Sequence, residues 1–408
     1  MDIPNRGPGP RAQWLYRTIP TLWAAVLLIG FPAHGQDASY LVHDTKAVIL
    51  EGPYLVAPSE DGVTVVWITD TACHSRVDFG PDENLGQSAE SSDHGMLRVG
   101  RVHAIRLSGL EPDRTYFYQV VSTRVVKLNA YWPEKGHPVT SPVFSFRTLG
   151  RDRETISFEV ITDTQHEDLP RLGKHLDAVG WDAIDFLVHT GDSLSWVRDE
   201  DQMFQGFLHP ISMRLGHQKA LVFARGNHDT RGPFARNLYE YLPTGTGEFY
   251  YAFDAGPVHF LVLDTGEDKA DSTNVYADLN RFEDFRKTQF RWLEAHARTC
   301  ERMKTAPFRV ILMHSPSWGW QEEGTDEWNR LATRAGIDLV IAGHRHRLSR
   351  TNAGEEGSGF TVLVLGQDQV GRVSASSTEL QVAVTDTAGK ELDSFRLRPN
   401  QALSAEDR

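Results

Sequence analysis

Five apolar runs between residues 157 and 346 each end in side chains that can bind a metal or move a proton. "SFEVITDTQ" ends at Asp163 and Gln165, "FLVHTGDS" at Asp192, "ALVFARGNHD" at Asn227 and His228, "RVILMHS" at His314, and "DLVIAGHRH" at His344 and His346. Carboxylate, amide oxygen and imidazole together suit a divalent metal such as Mn, Fe or Zn. A lone histidine after a strand is ordinarily hydrogen-bonded structure, so no single run carries weight. Their ordered recurrence is what points to a shared centre. Gly191, Gly226 and Gly343 stand directly before Asp192, Asn227 and His344, where glycine permits a tight turn that pushes the next side chain inward.

Such residues can meet only if strands deliver them to one edge of a sheet, where connecting loops converge over a rigid scaffold. From about residue 155 apolar strand-like runs alternate with helical patterns over 169–181, 200–215, 281–301 and 325–335, which predicts an α/β domain. Residues 248–264 read as a hairpin, and 361–366, 379–386 and 394–398 as closing strands. Upstream, residues 44–148 are all β in pattern. Runs at 62–69, 75–80, 103–122 and 143–148 are separated by Gly, Pro and Asp turns, which predicts a sandwich. Leu110, Pro112 and Tyr116 in "LEPDRTYFY" resemble the tyrosine corner of fibronectin type III domains. The expected plan is a leader over 1–35, a sandwich over 44–149 and an α/β domain over 153–400, with no internal repeat.

Composition sets the outer bounds. The chain has 408 residues, 40% hydrophobic and 24% charged, with a formal net charge of −13. Arg6, Arg11 and Arg17 precede the uncharged "TLWAAVLLIGF" and the small residues Ala33 and Gly35, the pattern of a secretory signal cleaved after Gly35. An apolar core this short does not span a bilayer as ordinary membrane helices do, although an uncleaved anchor stays open. Losing residues 1–35 takes away three Arg and one Asp and moves the charge from −13 to near −15. So acidic a chain is a poor general binder of nucleic-acid phosphates. Any anionic substrate needs a local positive centre. Cys73 and Cys300 form no disulfide scaffold and no Cys-rich zinc module, and both are expected to stay unpaired.

The ordered set of D-x-Q, G-D, G-N-H-D, H and G-H-x-H resembles the calcineurin-like metallophosphoesterases. The fibronectin-like domain in front resembles the purple acid phosphatase-related branch. The resemblance implies a fibronectin type III-like sandwich followed by an α/β domain of two mixed sheets flanked by helices, with a dinuclear centre. Asp163, Gln165, Asp192 and His346 would hold one metal. Asp192, Asn227, His314 and His344 would hold the other, with Asp192 bridging. The expected ions are Mn, Fe, Zn or Mg. Two divalent ions outweigh Asp163, Asp192 and a bridging hydroxide, so the cluster stays positive and attracts phosphate. Metal-bound hydroxide would attack phosphorus. His228 would contact phosphate and protonate the leaving alkoxide, with Asp229 orienting it. Arg231 or Arg236 could reach a phosphate oxygen, or serve only in packing.

The chain departs from the family pattern at two places. Ser195 stands three residues after Asp192, where purple acid phosphatases carry tyrosine, so tyrosinate-to-iron colour is not expected. Gln165 stands where other members carry histidine. Its amide could ligate through oxygen as a weaker, neutral donor, could be a neighbour of the ligands, or could yield to His166. Trp318 and Trp320 could stack on a leaving group or simply anchor their loop. Histidines outside the motif set, among them His189, His259 and His296, read as structural. The expected activity is hydrolysis of small-molecule phosphate esters, monoesters favoured. Diester or nucleotide hydrolysis, and a non-catalytic binding protein on this scaffold, are the alternatives. Oligomeric state has no signature in the sequence.

Overall fold

The computed structural model describes residues 41–165, 170–319, 325–355 and 357–399. The expected leader over 1–35, together with His166 and Trp320, lies outside the described residues. No helix among those described is long and apolar enough to cross a membrane.

Two sheets stack face to face in the α/β part. One holds the parallel strands Thr155–Ile161, Phe186–His189 and Ala220–Phe223, extended antiparallel on one side by Gln369–Ser376, Leu380–Asp386 and Glu391–Leu397. The other runs Tyr251–Ala255, Val258–Val262, Phe308–Leu312, Leu339–Ala342, Thr361–Val364 and Ser349–Thr351, parallel through its middle. These central strands read as unbroken apolar runs because both of their faces are covered. Between the sheets Phe158, Phe186, Phe253 and Phe260 interlock edge-to-face and stacked. Helices cover the outer faces. Leu172, Leu176, Phe204 and Phe207 belong to one outer layer, and Leu293, Trp328 and Leu331 to the other.

Helices Pro170–Ala178, Phe282–Thr299 and Thr325–Arg334 fall on the expected spans. The span 200–215 is helical throughout but not uniform. Asp199 caps it by accepting from the Gln202 amide at 2.8 Å, and its middle turn, Phe204–Leu208, widens to π geometry. Pro210 follows at once and has no N–H to return to the preceding turn. Gly216, at φ 61°, ends the helix in left-handed conformation.

The upstream part is the expected sandwich, but its strands differ from the prediction. The runs at 62–69 and 75–80 are one strand, Gly62–Gly80, that turns a corner between Ile68 and Cys73. Its first half pairs with Ile49–Ser59 and Val99–Leu107, and its second with Thr115–Lys127 and Gln87–Glu90. Trp67 lies fully buried between the layers and donates its indole N–H to Ser122 Oγ at 2.9 Å. Glu134–Thr140 escaped the pattern because it carries Gly136 and Pro138 and is largely exposed, which an edge strand tolerates. Tyr116 Oη accepts from the Glu111 amide at 3.0 Å and pins the bend before its strand.

The sandwich is not a separate bead. Ile49–Ser59 pairs in parallel with Ala220–Phe223, Leu55 opposite Ala220 and Val56 opposite Leu221. One thirteen-stranded sheet thus runs through both parts of the described chain. Two tyrosines reinforce the seam, Tyr54 donating to Tyr241 O and Tyr118 to His217 O, each at 2.7 Å. Tyr54→Phe removes one of these bonds and leaves a buried carbonyl without its partner. It is expected to lower the unfolding free energy by about 1–3 kcal/mol, measured by urea denaturation.

Candidate metal centre

All five strand ends converge on one edge of the α/β part. Asp163 and Asp192 are its buried anchors, at 0% and 1% exposure. Both take left-handed backbone, φ 53° and 56°, as do His344 at 72° and His346 at 55°. Residues with a Cβ seldom adopt this conformation, so four instances in one place mark backbone over-determined by its surroundings. Those surroundings are hydrogen bonds between the loops. The Asp163 amide donates to Gly191 O, the Gln165 amide to Asp192 O, and the Gly343 amide to His314 O, at 2.9–3.1 Å.

The three glycines act differently from the turn-forming role expected of them. Only Gly191 has a positive φ, 92°. A Cβ on Gly226 would run into the Asp192 amide and carboxylate, and one on Gly343 into Thr162 and Asp163. What Gly226 and Gly343 supply is close approach of one loop to the next.

The donor atoms fall into two groups that share Asp192. Asp163, Asp192 and His346 offer atoms all within 4.8 Å of one another, and so do Asp192, His314 and His344. His346 Nε2 lies 3.3 Å from Asp163 Oδ1. The Gln165 amide joins the first group, its Nε2 3.3 Å from both Asp192 Oδ2 and His346 Nε2. Asn227 joins the second, its Oδ1 3.1 Å from His344 Nδ1.

Two buried atoms test whether this set fits a cation. His314 donates Nδ1–H to Thr190 O at 2.8 Å, which turns its Nε2 lone pair towards Asp192 Oδ2, 3.1 Å away. The pair is close but not aligned as a hydrogen bond, so Nε2 is a buried nitrogen without a partner, and Gln165 Oε1 is a buried oxygen without one. At 3.1 Å the His314 nitrogen and the Asp192 oxygen require positive charge between them, either a metal cation or, in its place, a proton. The titration behaviour shows the same demand. Burial opposes a charge on His314, yet the Asp192 carboxylate holds it up at about 10. Burial likewise opposes a charge on Asp192, yet His314 holds it well below the usual carboxylate range. His346 is raised by its bond to Asp163. The donor set fits divalent cations.

Residues 156–348 match the calcineurin-like phosphoesterase family, and residues 51–148 match the purple acid phosphatase N-terminal domain. The chain carries a calcineurin-like phosphoesterase domain behind a purple acid phosphatase N-terminal domain. It is 26% identical to human acid phosphatase type 7 over 375 residues, covering 81% of this chain and 77% of that one. It is 25% identical to purple acid phosphatase 18 of Arabidopsis thaliana, covering 70% of this chain and 63% of the plant protein's length. The fold matches a purple acid phosphatase from yellow lupin seeds at a TM-score of 0.64 and 16% identity, over 87% of this chain and 75% of the other. A dinuclear metal centre is what this phosphoesterase family implies, and the two donor groups sharing Asp192 lie where it would form.

Around the phosphoesterase centre some side chains do not act as expected. Asp229 does not touch the His228 ring. Its carboxylate takes the amides of Asp192, Ser193 and Gly226 at 2.8–3.0 Å and the Ser193 hydroxyl at 2.5 Å, clamping the Asp192 and Gly226 loops together. His228 is oriented instead by the Ser195 carbonyl, which accepts Nδ1–H at 2.7 Å, and by Arg231, whose NH1 lies 3.1 Å from Nε2. Position 195 therefore serves through its backbone. Trp318 is a buried loop anchor, stacked on Trp328 and donating to Asn329 Oδ1 at 2.9 Å, so its leaving-group role is withdrawn. His189 lies one layer behind, where burial pushes it down to about 3 and keeps it neutral against Thr164.

Sequence reasoning missed Glu267. Nearly fully buried, it takes Arg231 Nε and NH2 at 2.8 and 2.7 Å and also accepts from Tyr276 and Thr230. It missed Asp264 too, at the end of Val258–Val262 and 2.6 Å from Arg225. The rule applied to the other five strand ends would have flagged "HFLVLD" as a sixth. Gly226→Ala forces the Asp192 and Asn227 loops apart. It is expected to cost about 1–3 kcal/mol of stability and to weaken metal retention, read by thermal unfolding with and without added Mn2+.

Proposed function

We propose that this chain is an exported, metal-dependent hydrolase of phosphate monoesters. The observation that carries the reading is the double donor set around buried Asp192, with His314 Nε2 unpartnered within it. On this reading Asp163, Gln165, Asp192 and His346 hold one divalent cation, and Asp192, Asn227, His314 and His344 the other. Such cations would polarise the phosphoryl group and lower the pKa of the attacking water. Two of them outweigh the two buried carboxylates. The centre is then positive within a chain of net charge −13, as an anionic substrate requires.

His228 does the proton work. The Ser195 carbonyl fixes Nδ1 as the N–H and leaves Nε2 3.9 Å from Asp192 Oδ2, on a side chain 30% exposed. Arg231 reaches the same nitrogen, held in place by Glu267. A phosphate oxygen arriving between them takes the Arg231 donor in a charge-assisted bond. His228 Nε2, released from Arg231, then takes up a proton from solvent and hands it to the leaving alkoxide. Asp229 keeps the Asp192 and Gly226 loops in register throughout. Support for monoesters comes from relatives that are named acid phosphatases. Support for export comes from the basic, apolar and small-residue succession of the first 35 residues.

Turnover of p-nitrophenyl phosphate well above that of its bis ester is the expected result; the reverse order would make the protein a diesterase. His228→Ala should lower kcat by about 10²–10⁴-fold with metal content unchanged. An unchanged rate would remove His228 from the proton transfer. Gln165→His replaces a neutral amide by a stronger imidazole donor and is expected to slow loss of metal to a chelator, followed by elemental analysis.

A further inference from the structure

A second cluster of metal-capable side chains lies away from the phosphoesterase centre. His259 is on Val258–Val262, His296 is in the last turn of the helix Phe282–Thr299, and Cys300 follows directly after that helix. Their donor atoms all lie within 4.8 Å of one another. His259 pairs in register with Arg309, five residues before His314 on the same chain run. At about 3.3 Å per residue that is roughly 17 Å from the phosphoesterase centre, at the opposite end of the sheet.

We propose that His259, His296 and Cys300 form a separate binding site for a zinc-class divalent cation. His296 and Cys300 are four residues apart at a helix end, a spacing that sets both on one face. The Cys300 amide still bonds back to His296 O at 2.9 Å, so the turn between them is intact. The imidazoles meet nitrogen to nitrogen, Nε2 to Nε2 at 2.9 Å. Asp254 accepts Nδ1–H of His259 at 2.8 Å. That bond fixes the tautomer and leaves Nε2 as a lone pair directed at the cluster, the carboxylate–imidazole arrangement that supports metal-binding histidines. Arg302 Nε donates to the same Asp254 oxygen at 2.9 Å. Trp292 stacks on His296 at 5.3 Å between ring centroids and fixes its plane.

Neutral imidazole is the form that binds metal, and burial with His259 alongside pushes His296 down to about 4. Cys300 is a free thiol and only partly buried, so an ion and a solvent ligand have access. Two imidazoles and a thiolate with one open position suit tetrahedral zinc. With Zn–N bonds of about 2.0–2.1 Å the ligand nitrogens sit roughly 3.4 Å apart, so the imidazole pair opens by a few tenths of an ångström. On binding, the Cys300 thiol releases its proton to solvent and sulfur bonds to the ion. His296 moves its proton from Nε2 to Nδ1.

Cobalt substitution tests the proposal independently of catalysis, because the phosphoesterase donor set contains no sulfur. The full chain is stripped with a chelator and loaded with Co2+. The expected result is a sulfur-to-cobalt charge-transfer band in the near ultraviolet. That band is lost in Cys300→Ser and in His296→Gln and kept in Cys73→Ser. Elemental analysis after zinc loading should show one ion per chain fewer in Cys300→Ser than in the wild type, with circular dichroism unchanged. No band in the wild type, or a band that survives Cys300→Ser, overturns the site and leaves a hydrogen-bonded histidine pair. Neither result depends on whether the protein hydrolyses phosphate esters.

Discussion

Two carboxylates, Asp163 and Asp192, are taken almost wholly out of water at the edge where two sheets meet. An ionised carboxylate in such a place costs several kcal/mol unless positive charge and hydrogen bonds surround it. Most of the local structure can be read as meeting that demand. Asp192 takes the His228 amide on one oxygen and faces His314 and Gln165 with the other. Asp163 takes the His344 amide and the Thr162 hydroxyl. The same carboxylates raise the affinity of His314 and His346 for protons. A site of that polarity attracts cations.

Meeting the demand requires backbone that ordinary chain conformations do not supply. Four residues of the two donor groups are left-handed, at a cost of order 1–3 kcal/mol each. Hydrogen bonds from one loop to the next hold these conformations in place. Asp229 has the largest part in that tying. It is a buried carboxylate whose pKa burial and the neighbouring Asp192 push up, and it receives four donors from two loops.

The difference between donor side chains and their supports explains what could be read in the sequence. Asp163, Asp192, Asn227, His314, His344 and His346 each stand within four residues of the end of an apolar run, so the strand pattern sends them to one edge. Helix spans were legible for the same reason. The supports carry no such mark. Asp229 sits in the motif, yet its bonds run to residues 192 and 193, across the sheet, and no spacing rule displays that contact. Glu267 and Tyr276 lie in a connecting segment without periodicity, and Arg231, the partner of Glu267, is nearly forty residues upstream. The seam between sandwich and α/β part was hidden because strand 49–59 has the texture of any half-buried strand. Its partner, residues 220–223, has no free slot in the sequence pattern, only in space.

That seam has a bearing on how the chain can be divided. Ala220–Phe223 is an inner strand only because Ile49–Ser59 lies against it. Cut at residue 150, the catalytic part would present a bare, apolar, four-residue edge with its amides and carbonyls unpaired, the kind of surface on which a second chain docks and aggregates. The front part is therefore no detachable accessory. It caps the sheet that carries Asp163, Asp192 and Asn227. During synthesis its first long strand must also wait for more than 160 further residues before its outer neighbour arrives.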